Sequence, residues 1–312
     1  MKLVFCGTPQ FAVPTLERLA ATGFNVQLVV TQPDRPQGRG MELTAPPVKQ
    51  AAIKLGLRVV QPDKIKKNEE FQSQLRALAP DAIIVVGYGR IIPPWMLTLP
   101  PYGNINVHAS LLPKYRGAAP IQWAIASGDR VTGVTTMHLN EGLDTGDILL
   151  QAKMEIANED TSITLAPKLA QLGADVLVES LHGLKQKTLV AQPQDDSQAT
   201  LAPILQKEDG LVDFNRSADE IFNRYRGFQP WPETYTQFRG KGIKLTRIRP
   251  AGTVGKIEPG RIHVLEGHLY VLCGRETGTM LELLEVKPEG KKAMSAREFM
   301  NGYHPAESER LG

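Results

Sequence analysis

The chain has 312 residues, of which 42% are hydrophobic and 22% charged, and its formal net charge is +3. This length suits two domains, and the composition is that of an ordinary globular protein. No run of about 18 apolar residues and no signal-peptide pattern occurs in the sequence, so a membrane span and a secretory leader are not expected. The small net charge excludes a uniformly basic nucleic-acid binder.

The cysteine and histidine content indicates a cytoplasmic protein without a metal. Cys6 and Cys273 are far apart, and each lies inside an apolar run that resembles a strand. This predicts two buried thiols rather than a disulfide, which fits a reducing cytosol. The six histidines show none of the spacings of a metal site, so we expect no metal.

In the first half of the chain, β-branched apolar runs alternate with segments of helical periodicity. The predicted strands are 2–6, 26–31, 58–61, 81–87 and 104–109, and the predicted helices are 12–21, 47–55, 69–78 and 120–127. This alternation predicts a doubly wound, Rossmann-like α/β sheet. Runs 133–139 and 148–156 suggest added strands, and 161–187 predicts one long helix in which Pro167 indicates a kink or a late start.

The second half has a different pattern. Residues 190–201 are polar and without periodicity, which is typical of a linker, and 217–226 is helical. Short strand-like runs then follow between glycines and prolines: QFRG, IKLTRIRP, GKIEPG, RIHVLEG, HLYVLCG and MLELLEV. They predict a small β-barrel. The expected division is an α/β domain at 1–189, a linker at 190–206 and a barrel domain at 207–312.

Common cofactor and nucleophile motifs do not occur in the sequence. The first strand is followed by Gly7-Thr8-Pro9 instead of the dinucleotide fingerprint G-x-G-x-x-G. Neither a phosphate loop G-x-x-x-x-G-K-[ST] nor a G-x-S-x-G elbow is found. The sequence therefore gives no support to NAD or ATP as a cofactor, or to a serine hydrolase.

The most informative stretch is NVHASLLPKYRGAAP at 106–120, followed by EGLDTGD around Asp144. Asn106 and His108 are two residues apart, so on a strand their side chains share a face. Each of the three polar residues alone has an ordinary structural explanation, such as a turn or a strand end. Together they suit acyl transfer: the amide and the imidazole donate to an oxyanion, and the carboxylate manages protons.

These runs, NVHASLLPKYRGAAPIQWAI and TGVTTMHLNEGLDTGDIL, resemble the signature of folate-dependent formyltransferases. FCGTPQFAVPTLERL, TQPDRPQGRG, GFQPWPETYTQF and PEGKKAMSAREF extend the resemblance over nearly the whole chain. The resemblance implies a formyl donor, 10-formyltetrahydrofolate, as co-substrate. It also implies that the barrel is of the oligonucleotide-binding type.

The resemblance places the family's catalytic asparagine, histidine and aspartate on Asn106, His108 and Asp144. Asn106 and His108 are then expected to stabilise the oxyanion, while Asp144, through a water, orients His108 and relays a proton from the attacking nitrogen to N10. It also implies a folate wall at Ser110, Leu111, Leu112 and Pro113. The strand end and glycines of VGYGRII further suggest a pterin end at Gly87, Tyr88 and Ile91.

The expected acceptor is the amino group of initiator methionyl-tRNA, and the protein is expected to be a monomer. The loop around Arg39 resembles one that contacts the acceptor end, although Met41 and Glu42 stand where the family often has lysines. The basic residues expected to meet tRNA in the barrel are Lys241, Lys244, Arg247 and Arg249.

Other readings stay open on the sequence. Within the class, the acceptor could be glycinamide ribonucleotide, an amino sugar, or water in a hydrolase that releases formate. All of these share the Asn-His-Asp core. From another class, the chain could be a nucleic-acid-binding module whose α/β half is inactive, against which the intact trio argues. A solvated basic face is also the ordinary explanation of the charges between 239 and 261.

Overall fold

The computed structural model describes residues 1–37, 41–255 and 257–312. The chain divides into two compact units. The first comprises Met1–Pro120, Val131–Glu155 and Thr164–Pro203, and the second comprises Ile121–Arg130, Ile156–Ile163 and Ile204–Gly312.

The strands and helices predicted for the first part of the chain are present with small differences at their ends, together with two short strands and a short helix that were not predicted. The strands are β1 (Lys2–Gly7), β2 (Asn25–Val30), β3 (Arg35–Gln37), β4 (Glu42–Thr44), β5 (Val59–Val60), β6 (Ala82–Val86), β7 (Asn104–His108), β8 (Val131–His138) and β9 (Ile148–Glu155). The helices are α1 (Val13–Ala21), α2 (Pro47–Lys54), α3 (Glu69–Leu78), α4 (Pro94–Leu97), α5 (Pro120–Ala126) and α6 (Ser162–Gln186).

Within the described residues, seven strands form a sheet in the order β5-β2-β1-β6-β7-β8-β9. The pairs from β5 to β7 are parallel, and β8 and β9 are added antiparallel. The strand order reverses between β1 and β6, which is the Rossmann-like arrangement. The α/β prediction is confirmed. β6 is buried at every position because AIIVV fills a strand that is covered on both faces.

The helices begin and end where local chemistry favours it. The Asn68 side chain caps α3 by accepting a hydrogen bond from the Phe71 backbone N–H at 3.0 Å. α6 begins at Ser162 and is continuous past Pro167, so the predicted late start is wrong. A proline at this position removes a single hydrogen bond to the preceding turn, which a helix of 25 residues tolerates.

The later part of the chain forms an antiparallel sheet with two helices. Its elements are α7 (Ala218–Gly227), β10 (Tyr235–Phe238), β11 (Lys241–Thr253), β12 (Ile262–Leu265), β13 (His268–Cys273), β14 (Thr279–Pro288), β15 (Met294–Ser295) and α8 (Ala296–Tyr303). The strands pair in the order β10-β11-β14-β13-β12, with β15 on β14. The regular strands leave this sheet open, and the chain's last residues bridge its two edges: Leu311 pairs with Phe238 of β10, and Arg310 pairs with Arg261, which precedes β12. This arrangement accords with the predicted small barrel.

Some elements were not predicted. The β3–β4 hairpin is short and polar, so it lacks the apolar alternation of a strand. α8 has a capping box, in which the Ser295 hydroxyl accepts from the Glu298 N–H and the Glu298 carboxylate accepts from the Ser295 N–H. That signal was present in the sequence as S-A-R-E. The run GKIEPG is wrong as a strand: its described residues lie outside the strands, because proline and glycine interrupt pairing.

Cys6 and Cys273 are free and buried, as predicted. Burial raises the pKa of both thiols, that of Cys273 to about 12.

Across the described ranges, no helix combines the length and apolar character needed to cross a membrane.

Candidate active site

The predicted amide and imidazole lie at the end of β7. Val85 of β6 lies beside Asn106, and Thr135 of β8 lies opposite His108. β6 and β7 are parallel, so the loop that follows β6 and the turn that follows β7 leave the sheet at the same edge. Asn104, on the same face, is buried and donates to the Met96 and Leu97 carbonyls at 2.8 and 3.1 Å. It fixes the start of the strand.

Asn106 and His108 differ in how far their side chains are already engaged. Asn106 is half-buried, and its side chain makes no hydrogen bond within the described part of the chain. His108 is 6% exposed, and its Nε2 lies 2.8 Å from the Tyr115 carbonyl. Because a carbonyl oxygen only accepts, Nε2 must carry a hydrogen. Nδ1 is therefore the ring nitrogen that can meet another group.

Asp144 lies beside that nitrogen. Its Oδ2 is 3.6 Å from His108 Nδ1 and accepts a hydrogen bond from the Gly117 N–H at 2.8 Å. The carboxylate is mostly buried, and the residue has a left-handed backbone with φ +52°. Aspartate tolerates this conformation better than most residues. The structure thus brings Asn106, His108 and Asp144 to one end of the sheet.

The four predicted folate-wall residues in the turn after β7 differ in burial. Ser110 and Leu112 are buried, whereas Leu111 and Pro113 are half-buried. The Thr135 hydroxyl donates to the Ser110 carbonyl at 2.7 Å and accepts from the Leu112 N–H at 3.1 Å. Leu111 and Pro113 are therefore the predicted folate-wall residues whose side chains can meet a ligand, while Ser110 and Leu112 fix the turn.

The loop after β6 presents its backbone rather than its aromatic side chain. Gly87 is exposed with φ +54°, and an added Cβ would lie 2.8 Å from Pro9. Tyr88 is 2% exposed and packs in the core, while its carbonyl accepts from Thr8 and Gln32. Ile91 is 94% exposed. A flat ligand at this predicted pterin end would meet glycine backbone and the Ile91 side chain.

The basic residues predicted to meet tRNA are not equivalent. Lys244 forms an ion pair with Glu233, and Arg249 with the buried Glu282. In the described part of the chain, Lys241 and Arg247 are exposed and have no ion pair. Two of these four cations thus retain their hydrogen-bond donors for another partner. Arg39 lies outside the described residues.

Metal binding has no basis in the side-chain arrangement that is described. Over residues 1–37, 41–255 and 257–312, no three or more His, Cys, Asp or Glu side chains lie together as metal ligands would.

Family models match both parts of the chain. The model described as formyl transferase matches residues 1–181, and that described as formyl transferase, C-terminal domain, matches 204–304. The chain belongs to the formyl transferase family.

Similar curated proteins from several bacteria are named methionyl-tRNA formyltransferase. The protein from Koribacter versatilis is 62% identical over 312 residues, which are 100% of this chain and 99% of that protein. The protein from Acidobacterium capsulatum is 61% identical over 312 residues, with 100% of both chains covered.

The fold is shared with solved formyltransferases. A sugar 3N-formyl transferase, WlaRD, crystallised with dTDP and 5-N-formyl-THF, is 16% identical with a TM-score of 0.65, covering 94% of this chain and 99% of that chain. The phosphoribosylglycinamide formyltransferase of Bacillus halodurans is 26% identical with a TM-score of 0.51. It covers 60% of this chain and 97% of that chain, so the similarity is limited to about the length of the α/β part.

Some contacts of the site were missed from sequence. The Tyr115 carbonyl and the Gly117 N–H bind His108 and Asp144 through backbone atoms, which leave no side-chain signal. Gly117 is the exception, since its φ of +123° and the 2.6 Å from an added Cβ to the Ala202 carbonyl require glycine. Its position inside KYRGAAP was the available signal.

Proposed function

We propose that this protein transfers the formyl group of 10-formyltetrahydrofolate to the free amino group of initiator methionyl-tRNA, giving formylmethionyl-tRNA and tetrahydrofolate. The observation that carries the proposal is full-length similarity to proteins named methionyl-tRNA formyltransferase. Asn106, His108 and Asp144 at one strand end supply the groups that formyl transfer needs. The product would serve translation initiation.

In the proposed chemistry, the amine attacks the formyl carbon and creates an oxyanion and a cationic nitrogen. The Asn106 amide, free of other hydrogen bonds among the described residues, donates to the oxyanion. His108 donates from Nδ1 in its protonated form, since Nε2 is bound to the Tyr115 carbonyl. The Asp144 carboxylate stabilises the positive charge that the ring then carries.

Asp144 also takes up the proton that the attacking nitrogen must lose. Its Oδ2 is held by the Gly117 N–H, so Oδ1 is the oxygen that receives this proton, directly or through a water. The proton then passes to N10 of the leaving tetrahydrofolate, and the C–N10 bond breaks as the tetrahedral intermediate collapses. No group on the enzyme becomes formylated.

We propose that the two matched regions divide the work. Residues 1–189 would bind folate and perform the transfer, 190–206 would connect the regions, and 207–312 would bind tRNA. Support comes from the separate family models at 1–181 and 204–304 and from Lys241 and Arg247, which have no ion pair among the described residues. Arg39 would meet the acceptor end. A cytoplasmic monomer suits this function, because charged tRNA and folates are cytoplasmic substrates.

A competition assay tests the proposal. Labelled 10-formyltetrahydrofolate is offered with methionyl-tRNA, glycinamide ribonucleotide, a dTDP-amino sugar or buffer alone, and the labelled product is identified. Label is expected in methionyl-tRNA, and N-acetylated methionyl-tRNA, which lacks the free amine, should accept none. Preferential labelling of a small-molecule acceptor, or formate release at the same rate without an acceptor, would overturn the proposal.

A further inference from the structure

The segment predicted as a linker is hydrogen-bonded to the candidate site. The Arg116 N–H donates to the Thr200 carbonyl at 2.8 Å, and the Ala202 N–H donates to the Arg116 carbonyl at 2.7 Å. Earlier in the segment, Gln192 and Ile148 exchange backbone hydrogen bonds at 2.7 and 2.8 Å. The segment therefore runs alongside the loop after β7 and also alongside the start of β9, the strand after the Asp144 turn.

Gln194 lies between these two attachments, and its side chain joins the Asp144 turn. Its Nε2 donates to the Asp144 carbonyl at 2.8 Å and to the Gly146 carbonyl at 2.7 Å. Both amide hydrogens are thus used on the two carbonyls that flank Thr145. Gly146 itself has no space for a side chain, since an added Cβ would lie 1.8 Å from the His138 carbonyl. The turn is thus held by the Gln194 amide and by close packing of Gly146 against the His138 backbone.

The other end of the same amide binds a buried arginine. Gln194 Oε1 accepts from Arg116 Nε at 3.1 Å and from Nη2 at 2.8 Å, and Nη2 also donates to Asp196 at 2.7 Å. Arg116 is 7% exposed. The orientation of the Gln194 amide is fixed by these partners, because carbonyls require a donor and a guanidinium requires an acceptor.

Arg116 stands between the two backbone groups that hold the catalytic side chains. Tyr115, on one side, accepts from His108, and Gly117, on the other, donates to Asp144. The Gln194–Arg116 pair therefore ties the loop that orients the imidazole to the turn that carries the carboxylate. We propose that Gln194 is a positioning residue that sets the separation and angle between His108 and Asp144, an inference that rests on the proposed function.

The physical reason lies in the turn itself. Asp144 adopts a left-handed backbone, a conformation that is unfavourable for an L-residue and persists only where its surroundings impose it. The gap between carboxylate and imidazole is 3.6 Å, so a small rotation of the turn changes whether they interact. A displacement of about 1 Å at reacting groups can lower a rate by about 100-fold.

The test uses Gln194→Glu in the full-length chain, with Gln192→Glu as the matched control. Glutamate keeps an acceptor for Arg116 but loses both donors to the turn. Gln192 lies two residues away, and among the described residues its side chain bonds only the Val190 carbonyl. We expect Gln194→Glu to lower kcat by about 10- to 100-fold, with KM for both substrates within about threefold. The pH profile of kcat should shift as well. Gln194→Met, which removes both interactions, should behave similarly.

Activity is measured per folded protein at a temperature well below the Tm of each variant. A lower Tm with unchanged kcat and pH profile would assign Gln194 a structural role only and overturn the inference. A Gln194→Glu enzyme indistinguishable from Gln192→Glu would also overturn it, while the proposed function would stand. If the unaltered chain formylated none of the acceptors, the proposed function itself would fail, which the wild-type arm detects separately.

Discussion

At the scale of single residues, two asparagines on the same face of β7 differ in whether their side-chain amides are hydrogen-bonded. Asn104 is buried and donates to two carbonyls that end α4, whereas the Asn106 side chain makes no hydrogen bond among the described residues. A half-buried amide without a hydrogen-bond partner leaves a polar group of the fold unsatisfied, which is common where a side chain is kept for a ligand. The contrast predicts different consequences of the same substitution.

Asn106→Ala should lower kcat by about 100- to 1000-fold and leave the Tm nearly unchanged, because it removes an oxyanion donor and no native hydrogen bond. Asn104→Ala should instead lower the Tm, because it leaves two carbonyls of the α4 end without their donor. Steady-state kinetics, folate titration and thermal unfolding of both variants check this. A large rise in the folate Kd of Asn106→Ala with kcat preserved would contradict the assignment.

Asp144→Asn should abolish most activity while the turn keeps its shape. The amide oxygen can still accept from the Gly117 N–H, but an amide cannot take up a proton from the attacking nitrogen. Loss of well-placed proton transfer typically lowers a rate by about 100- to 10,000-fold. Retention of more than about a tenth of the rate would exclude general acid–base catalysis by Asp144.

At the scale of elements, the loop after β7 depends on a glycine. Gly117 has φ +123°, and an added Cβ would lie 2.6 Å from the Ala202 carbonyl. Gly117→Ala should therefore destabilise the fold by more than the cost of the left-handed conformation alone, which is about 1–2 kcal/mol. It should also lower kcat, because the Gly117 N–H holds Asp144.

Gly23→Ala separates the cost of the left-handed conformation from the cost of the steric clash. Gly23 has φ +76°, and no described atom lies within 4 Å of an added Cβ, so this variant carries conformational strain without a clash. Chemical unfolding of both variants measures the difference. Equal destabilisation by the two substitutions would mean that the Ala202 backbone moves away freely, and the segment would then be loosely held.

The regular elements of the α/β part were predictable because hydrophobic periodicity is a local signal. α3 spans Glu69–Leu78, as its pattern indicates, and β7 ends at His108, one residue short of the predicted end. The strand spacing also placed Asn106 and His108 on one face. The Tyr115 carbonyl and the Gln194 amide could not be placed, since their roles depend on long-range backbone geometry.

Which basic residues of the second unit form ion pairs was the feature least predictable from the sequence. The sequence between 239 and 261 shows a single acid, yet several of its cations are paired with carboxylates distant in the chain. Glu309 lies 70 residues from Arg239, and Glu282 lies 33 from Arg249. Such pairs arise from strand order, which local composition does not reveal.

At the scale of the whole molecule, a buried carboxylate makes the stability of the antiparallel unit sensitive to pH. Glu282 is 2% exposed; burial raises its pKa, but hydrogen bonds from Arg249 and His268 outweigh this and leave the pKa lowered. A carboxyl with a lowered folded pKa stabilises the fold above its unfolded pKa, and this stabilisation is lost as pH falls through the folded value.

Glu282→Gln should therefore lower the Tm at pH near 7, and the difference from the unaltered chain should narrow below about pH 4, where unfolded glutamate becomes protonated. Thermal unfolding across this range measures the effect. Glu276→Gln, at an exposed position of the turn between β13 and β14, serves as control and should leave the Tm unchanged. A Tm difference for Glu282→Gln that stays constant with pH would contradict an ionised role.

The free cations on β11 should carry the electrostatic part of tRNA binding. Lys241 and Arg247 retain their donors, whereas Lys244 and Arg249 are engaged by Glu233 and Glu282. Each phosphate contact adds about 0.7–0.9 to the slope of log K against log salt. Replacing Lys241 and Arg247 together by glutamine should therefore reduce the slope by about 1.4–1.8 and raise KM for tRNA with kcat nearly unchanged.

The matched double variant, Lys244→Gln with Arg249→Gln, removes the same net charge from the same strand. Its slope should change less, because those donors reach a phosphate only by leaving their carboxylates, and its Tm should fall because Glu282 is left buried with one partner fewer. Binding titrations over a salt series compare the two variants directly. A larger slope change in the paired variant would show that the ion pairs open on binding, and the phosphate contacts would then be assigned to Lys244 and Arg249 instead.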